Sequence, residues 1–406
     1  MAPAAGSARG WVALGALAGL SVLKACVDGG DAPEATSPEV QAVLEDTWPR
    51  VVEPALARVA VEAQALETAA RAWEQAERDG VDGAPARAAA QEAWRATMLA
   101  WQEAELLQLG PAGASLDVVG GLDLRDRIYA WPTVNRCRVD QETVAGRWDA
   151  PDFLDTSLVN VIGLDALEVL LFSPDGENGC PGQVDINATG TWDALGPAGV
   201  RAARASYARA LAAGVRADLD ALGAAWDPAS GAFARTFAAA GAAGNPYESA
   251  TDAVNALFDA AFYLEEVTKD QKLGYALGNG DCTGGADSCL GQVEGPLAGG
   301  SHLWVAANLR GFRTLYTGGG AEGQGLEDLL RAVGEGALAD EVLAALDAAD
   351  AAAAGVMSSL PLAVDTDRAS VETLQARVDV VCDLLRLDVA SVLALRVPEE
   401  AAGDND

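Results

Sequence analysis

A single histidine, His302, in 406 residues removes a large part of metalloenzyme chemistry from consideration. Without a second imidazole, neither an HExxH helix nor any two-histidine zinc centre can be assembled. GxSxG and the Walker phosphate loop are missing. So is any CxxC pair, which excludes zinc ribbons and thioredoxin-like redox motifs. Basic charge is scarce: 27 Lys and Arg stand against 60 Asp and Glu, a net charge of −33, with no basic stripe to neutralise phosphates. Nucleic acid is therefore excluded as a partner, while cationic ligands or metal ions suit the charge, although acidity is ordinarily a solvated surface. No run alternates long enough to build a sheet, and no repeat of solenoid length occurs.

What is present is helix-forming sequence. Long Ala, Leu, Glu and Arg stretches predict helices over 39–78, 84–108, 155–172, 194–223, 247–273, 301–316, 322–333, 336–358 and 367–386. Gly- and Pro-rich segments at 110–121, 173–184, 226–231, 279–300 and 317–325 separate them. The fold class is all-α. Chain length and the "AAWDPASGAF" stretch at 224–233 divide it into two tandem four-helix-bundle-like domains, 41–225 and 226–396, followed by an acidic tail at 397–406.

The first 26 residues differ from the rest. Arg9 precedes an apolar run from Trp11 to Leu23 that is too short for a membrane span and right for a secretory signal. "LKAC", Leu23 to Cys26, resembles a bacterial lipoprotein cleavage box, with Lys24 unusual for it. The reading is a signal peptide over 1–25, lipid attached at Cys26 and a flexible tether over 26–40. Plain secretion and an uncleaved anchor are the alternatives. Export permits disulfides, and Cys137–Cys180 and Cys282–Cys289 are the expected pairs, one of three ways to join four cysteines. Cys382 in "VDVVCDLLRL" reads as a buried free thiol on a helix.

The most informative stretch is "VNVIGLDALEVLLF", residues 159–172, where Asp165 and Glu168 are three residues apart among apolar side chains. At that spacing they share one side of a helix. An ionised carboxylate buried without a partner costs several kcal/mol or takes a proton, so the pair demands a cation, a hydrogen-bond network or a wet cleft. A third acid belongs with them. Trp94, Met98, Trp101 and Glu105 follow one another on a continuous helical face, which makes Glu105 the acid of that helix expected to be buried, while Gln102 and Glu103 point elsewhere. Structural roles compete: Asp165 satisfying amides in a first helical turn, Glu168 pairing with Arg125 or Arg127, and Glu105 facing a loop. His302, in "GGSHLWVAANL", falls where a helix begins and suits a surface or capping role.

Taken in order, "AWRATMLAWQEAELLQLGP" (93–111), "DLRDRIYAWPTVNRCRVDQ" (123–141), "NVIGLDALEVLLF" (160–172), "FYLEEVTKDQKLG" (262–274) and "VEGPLAGGSHLWVAANLRGFRTLYTG" (293–318) resemble the imelysin family, also called imelysin-like peptidases. The resemblance implies two helical bundles, export to the bacterial periplasm or outer membrane as a lipoprotein, and an association with iron uptake. It also implies a GxHxxE metal signature near the domain interface. Its Gly falls on Gly163 and its Glu on Glu168, its His position is held by Asp165, and the family's acid before the Gly-Pro turn matches Glu105. The implied metal set is thus Asp165, Glu168 and Glu105, supported by Gly163, Arg127, Asp126, Glu294 and Ser301. An oxygen-only set favours a hard cation, iron or calcium above all. Three functions remain open: a non-catalytic envelope lipoprotein binding a metal ion or a metal-bearing partner in iron acquisition, a metal-dependent peptidase, and a structural or interaction module engaging another envelope protein. The membrane enters only through the lipid anchor.

Overall fold

The structure, a computed structural model, describes residues 37–280 and 289–398. Helix α1, Pro38–Asp46, starts where Ser37 accepts the Val40 amide at 3.2 Å and Pro38 occupies the first turn. It continues through a π-helical turn at Thr47–Val52 into α2, Glu53–Asp79, which ends on Gly80 at φ 65°, the left-handed conformation glycine adopts without strain. Helix α3 spans Ala84–Ala104, shorter than the 84–108 expected, with Glu105 as its C-cap. The aromatic stripe is as anticipated: Trp94, Met98, Trp101 and Glu105 are all buried.

After shorter helices at Leu124–Ile128, Arg136–Ala145 and Phe153–Thr156 come α4, Gly163–Phe172, and, past a single turn at Asp185–Ala188, α5, Thr191–Trp226. A non-helical Gly196 beside Pro197 breaks the first turns of α5. Helix α6, Ala250–Ala261, opens with a capping box between Ser249 and Asp252. The expected 247–273 helix is then interrupted, and Leu264–Leu273 is π-helical. Helices α7, Ser301–Tyr316, α8, Gly336–Gly355, and α9, Leu360–Asp383, follow, α9 kinked at Asp367. Among the described residues there are helices, turns and loops, and no strand.

Helix α2 packs on α3 and α5, and α4 packs on α3 and α5. Separately, α8 packs on α9 and α7, and the π-helical segment packs on α9. Helix α3 also lies against α7, and a glycine permits the approach: a Cβ on Gly311 would stand 2.3 Å from Glu103 O and from Leu106 Cδ2. That contact brings the α3 C-terminus onto the middle of α7. The stretch around 224–233 is packed too, Trp226 stacking on Trp48 with centroids 5.7 Å apart and meeting Phe233 edge-on. The described residues fall in one compact unit, and none of their helices is singly long and apolar enough to cross a membrane.

Cys137 and Cys180 are joined, as expected. The loop they close is held further by buried Arg204, which donates to Pro174 O at 2.9 Å, to Glu177 O at 2.5 Å and to Asp140 Oδ1 at 3.3 Å. Cys382 is a buried free thiol. Cys282 lies outside the described residues, as do Cys26 and the segment before it.

Candidate functional site: a buried acid and base junction

Four carboxylates and the Lys272 ammonium are buried where the end of α3, the start of α4, the π-helical segment and the loop before α7 meet, with the partly buried Arg125 of the Leu124–Ile128 helix beside them. Each acid has a separate solution to its burial. Asp165 sits in the first turn of α4, where its Oδ1 accepts the Ala166 amide at 3.0 Å. Its Oδ2 is buried and accepts no hydrogen bond among the described residues. Glu168 Oε1 accepts two amides of the loop before α7, Leu297 at 2.9 Å and Ala298 at 2.7 Å. Glu105 receives Arg125 at 2.8 Å on Oε1 and has Lys272 Nζ 3.7 Å from Oε2. Glu294 Oε1 is held by Tyr129 Oη at 2.8 Å, Gln102 Nε2 at 3.0 Å and Lys272 Nζ at 3.1 Å.

Backbone shape makes the entry to α4 specific. Gly163 has φ 82°, and a Cβ there would lie 2.8 Å from Ile128 O, so this turn requires glycine on both counts. Burial dominates the electrostatics. It pushes the Asp165 carboxyl up to about 8 against the pull of the local amides and Arg125, and Glu168 up to about 7 against the two loop amides. Glu294 is likewise raised, burial outweighing the ammonium of Lys272. The same burial, with neighbouring carboxylates, keeps the phenols of Tyr129 and Tyr263 protonated.

Several expectations about partners are corrected. The buried arginine anticipated for Glu168 is replaced by two backbone amides, and Arg125 pairs instead with Glu105. Arg127 turns to Asp218 at 2.9 Å and the Leu154 carbonyl. Asp126 is half exposed and touches Arg125 at 2.9 Å. Ser301 accepts the Leu360 amide at 3.0 Å, tying α7 to α9 outside the acid cluster. Glu294, named only as a supporting residue, is central. Gln102, expected to face away, is fully buried because α7 covers it: Asn308 Nδ2 donates to its carbonyl at 2.7 Å and its Oε1 at 3.0 Å.

Lys272 was not anticipated. Its ammonium donates to Gln102 Oε1 and, at 3.0 Å, to Asn308 Oδ1, besides its two carboxylates. Trp131 and Tyr263 present their rings at 5.9 and 5.5 Å. A signal existed in the sequence: the chain has three lysines, Lys24, Lys269 and Lys272, and uses arginine for every other cation. An ammonium is a compact three-donor charge where a guanidinium is a planar fork, so its rare choice marks a place built for a point cation.

As arranged, this donor set does not fit a resident metal ion. No imidazole or thiolate faces it, and each acid has one oxygen held by a cation or an amide, while Asp165 Oδ2, Glu105 Oε2 and Glu294 Oε2 accept no hydrogen bond among the described residues. The void beside Glu105 and Arg125 is about 10 Å³, room for at most about one water. Among the described residues no three His, Cys, Asp or Glu side chains are gathered as a ligand set.

An all-α protein with a cluster of buried carboxylates gathered around Lys272 and Arg125 is thus the class that fold and site define. The family model described as Imelysin matches residues 52–385, most of the chain, and the chain belongs to that family. Two solved structures share the fold. A protein provisionally named iron-regulated protein A precursor, from Parabacteroides distasonis, aligns with a TM-score of 0.66 at 16% identity, covering 90% of this chain and 97% of its own. An imelysin-like protein from Psychrobacter arcticum aligns with a TM-score of 0.60 at 18% identity, covering 90% and 99%. No curated protein matches the chain.

Proposed function

We propose that this chain is a non-catalytic imelysin-family protein of the bacterial cell envelope, anchored by lipid at Cys26, that serves iron acquisition by binding a metal-bearing partner. In this reading, helices on either side of the α3 and α7 contact form the paired bundles. The observation that carries it is the commitment of Asp165, Glu168 and Glu105 to bonds inside the fold. Asp165 stands where the family signature has histidine, so no imidazole is there to hold a catalytic ion. The provisional name of the Parabacteroides relative, an iron-regulated precursor, supports both the iron context and export.

The test is genetic and enzymatic together. A strain lacking the protein should grow normally with ample iron and slowly under chelation, and Glu168→Gln should restore growth as well as the native chain does. Cleavage of an unfolded protein that depends on a divalent metal and is abolished by Glu168→Gln would replace this reading with a metallopeptidase.

A further inference from the structure

The shell around Lys272 Nζ is made of oxygen alone: Glu294 Oε1 at 3.1 Å, Asn308 Oδ1 at 3.0 Å, Gln102 Oε1 in hydrogen-bond contact and Glu105 Oε2 at 3.7 Å. Three donors meet three close acceptors, with a fourth oxygen at ion-pair distance. Those oxygens come from α3, α7 and the loop before it, so the shell belongs to the fold and the cation alone is supplied by the π-helical segment. Two aromatic rings add cation-facing surface. The side chain is wholly buried, where an uncompensated charge could not be kept.

We infer that this shell is a monovalent-cation site, sized for an ammonium or potassium ion, which the protein fills with its own tethered ammonium, Lys272. This rests on the reading that the junction carries no resident metal, and it supplies the reason: the protein's own cation stands among the acids. Glu294 Oε1 and Asn308 Oδ1, at 3.1 and 3.0 Å, stand at a distance that suits a monovalent cation, whereas calcium and magnesium need oxygens at about 2.3–2.6 and 2.0–2.1 Å. Arginine cannot take the place, because a planar fork does not converge on oxygens set around a point.

The experiment is chemical rescue of Lys272→Ala in the full chain. Thermal melting is followed against ammonium, methylammonium and potassium chlorides, with choline chloride at equal ionic strength as the control. The variant should show a saturable rise in melting temperature with the small cations and none with choline, and the native protein should respond to all four salts alike. Lys272→Arg should behave as a destabilised variant without rescue. If Lys272→Ala does not fold in low salt, refolding yield is read instead, with recovery expected in ammonium or potassium and not in choline. No cation-specific recovery by either readout overturns the inference. Failure of the functional reading is distinguishable, since it would be seen in the native protein as saturable binding of Fe³⁺, Mn²⁺, Ca²⁺ or Zn²⁺.

Discussion

Lys272 Nζ lies 3.1 Å from Glu294 Oε1 with both side chains wholly buried, linking the π-helical segment to the loop whose next residues clamp Glu168. The pair therefore fastens the same loop as the α4 carboxylate, from the opposite partner. Removing one member leaves a buried charge without its counterion, whereas replacing both removes the problem.

Lys272→Met should thus cost about 3–5 kcal/mol in urea unfolding, and Lys272→Met/Glu294→Gln should recover much of that loss. A single-variant cost below about 1 kcal/mol would show that the pair is not desolvated as described.

Stability should fall as pH rises through neutrality. The folded Asp165 carboxyl is raised from 3.8 to about 8 and that of Glu168 from 4.5 to about 7, so between those limits the folded chain binds more protons than the unfolded one. Their contribution is fully present below the unfolded values and is lost on passing the folded ones. Asp165→Asn keeps an acceptor for the Ala166 amide and cannot ionise. Its stability relative to the native protein should improve by about 2–4 kcal/mol between about pH 5 and about pH 9, read from denaturant midpoints. An unchanged difference would contradict the burial of an ionisable group there.

The two neighbouring arginines should behave differently. Arg125 faces fully buried Glu105, and Arg125→Ala should cost about 3–5 kcal/mol by stranding that carboxylate. Arg127 is a quarter exposed and pairs with Asp218, so Arg127→Ala should cost about 1 kcal/mol or less. Equal costs in thermal or urea melts would refute this assignment of partners.

The Cys137–Cys180 bond closes a loop with a separation of 43 residues. Replacing both cysteines by alanine should lower stability by about 4 kcal/mol through the freer unfolded chain. A double variant melting like the oxidised native protein would contradict the bond.

What could be read from the sequence was whatever repeats at helical spacing. The Trp94, Met98, Trp101 and Glu105 stripe, the buried α4 acids and the free thiol of Cys382 follow from periodicity and from how few polar residues those windows hold. The partners did not follow, because they come from distant segments: Gln102 and Lys272 are 170 residues apart, and Glu168 is 129 from Leu297. Gln102 is off the predicted core face of α3 and is buried only because Gly311 lets α7 close over it. The π-helical register at Leu264–Leu273, which carries Lys272 toward α3, breaks the periodicity on which helical faces are assigned.

The most direct test is the metal content of the purified full chain, followed by titration with Fe³⁺, Ca²⁺, Mn²⁺ and Zn²⁺ beside Asp165→Ala/Glu168→Ala. If the junction acids are held by Lys272, Arg125 and backbone amides, the native protein carries no stoichiometric metal and no ion gives saturable binding. Stoichiometric metal in the native protein, lost in the double variant, would contradict that account and make these carboxylates ligands.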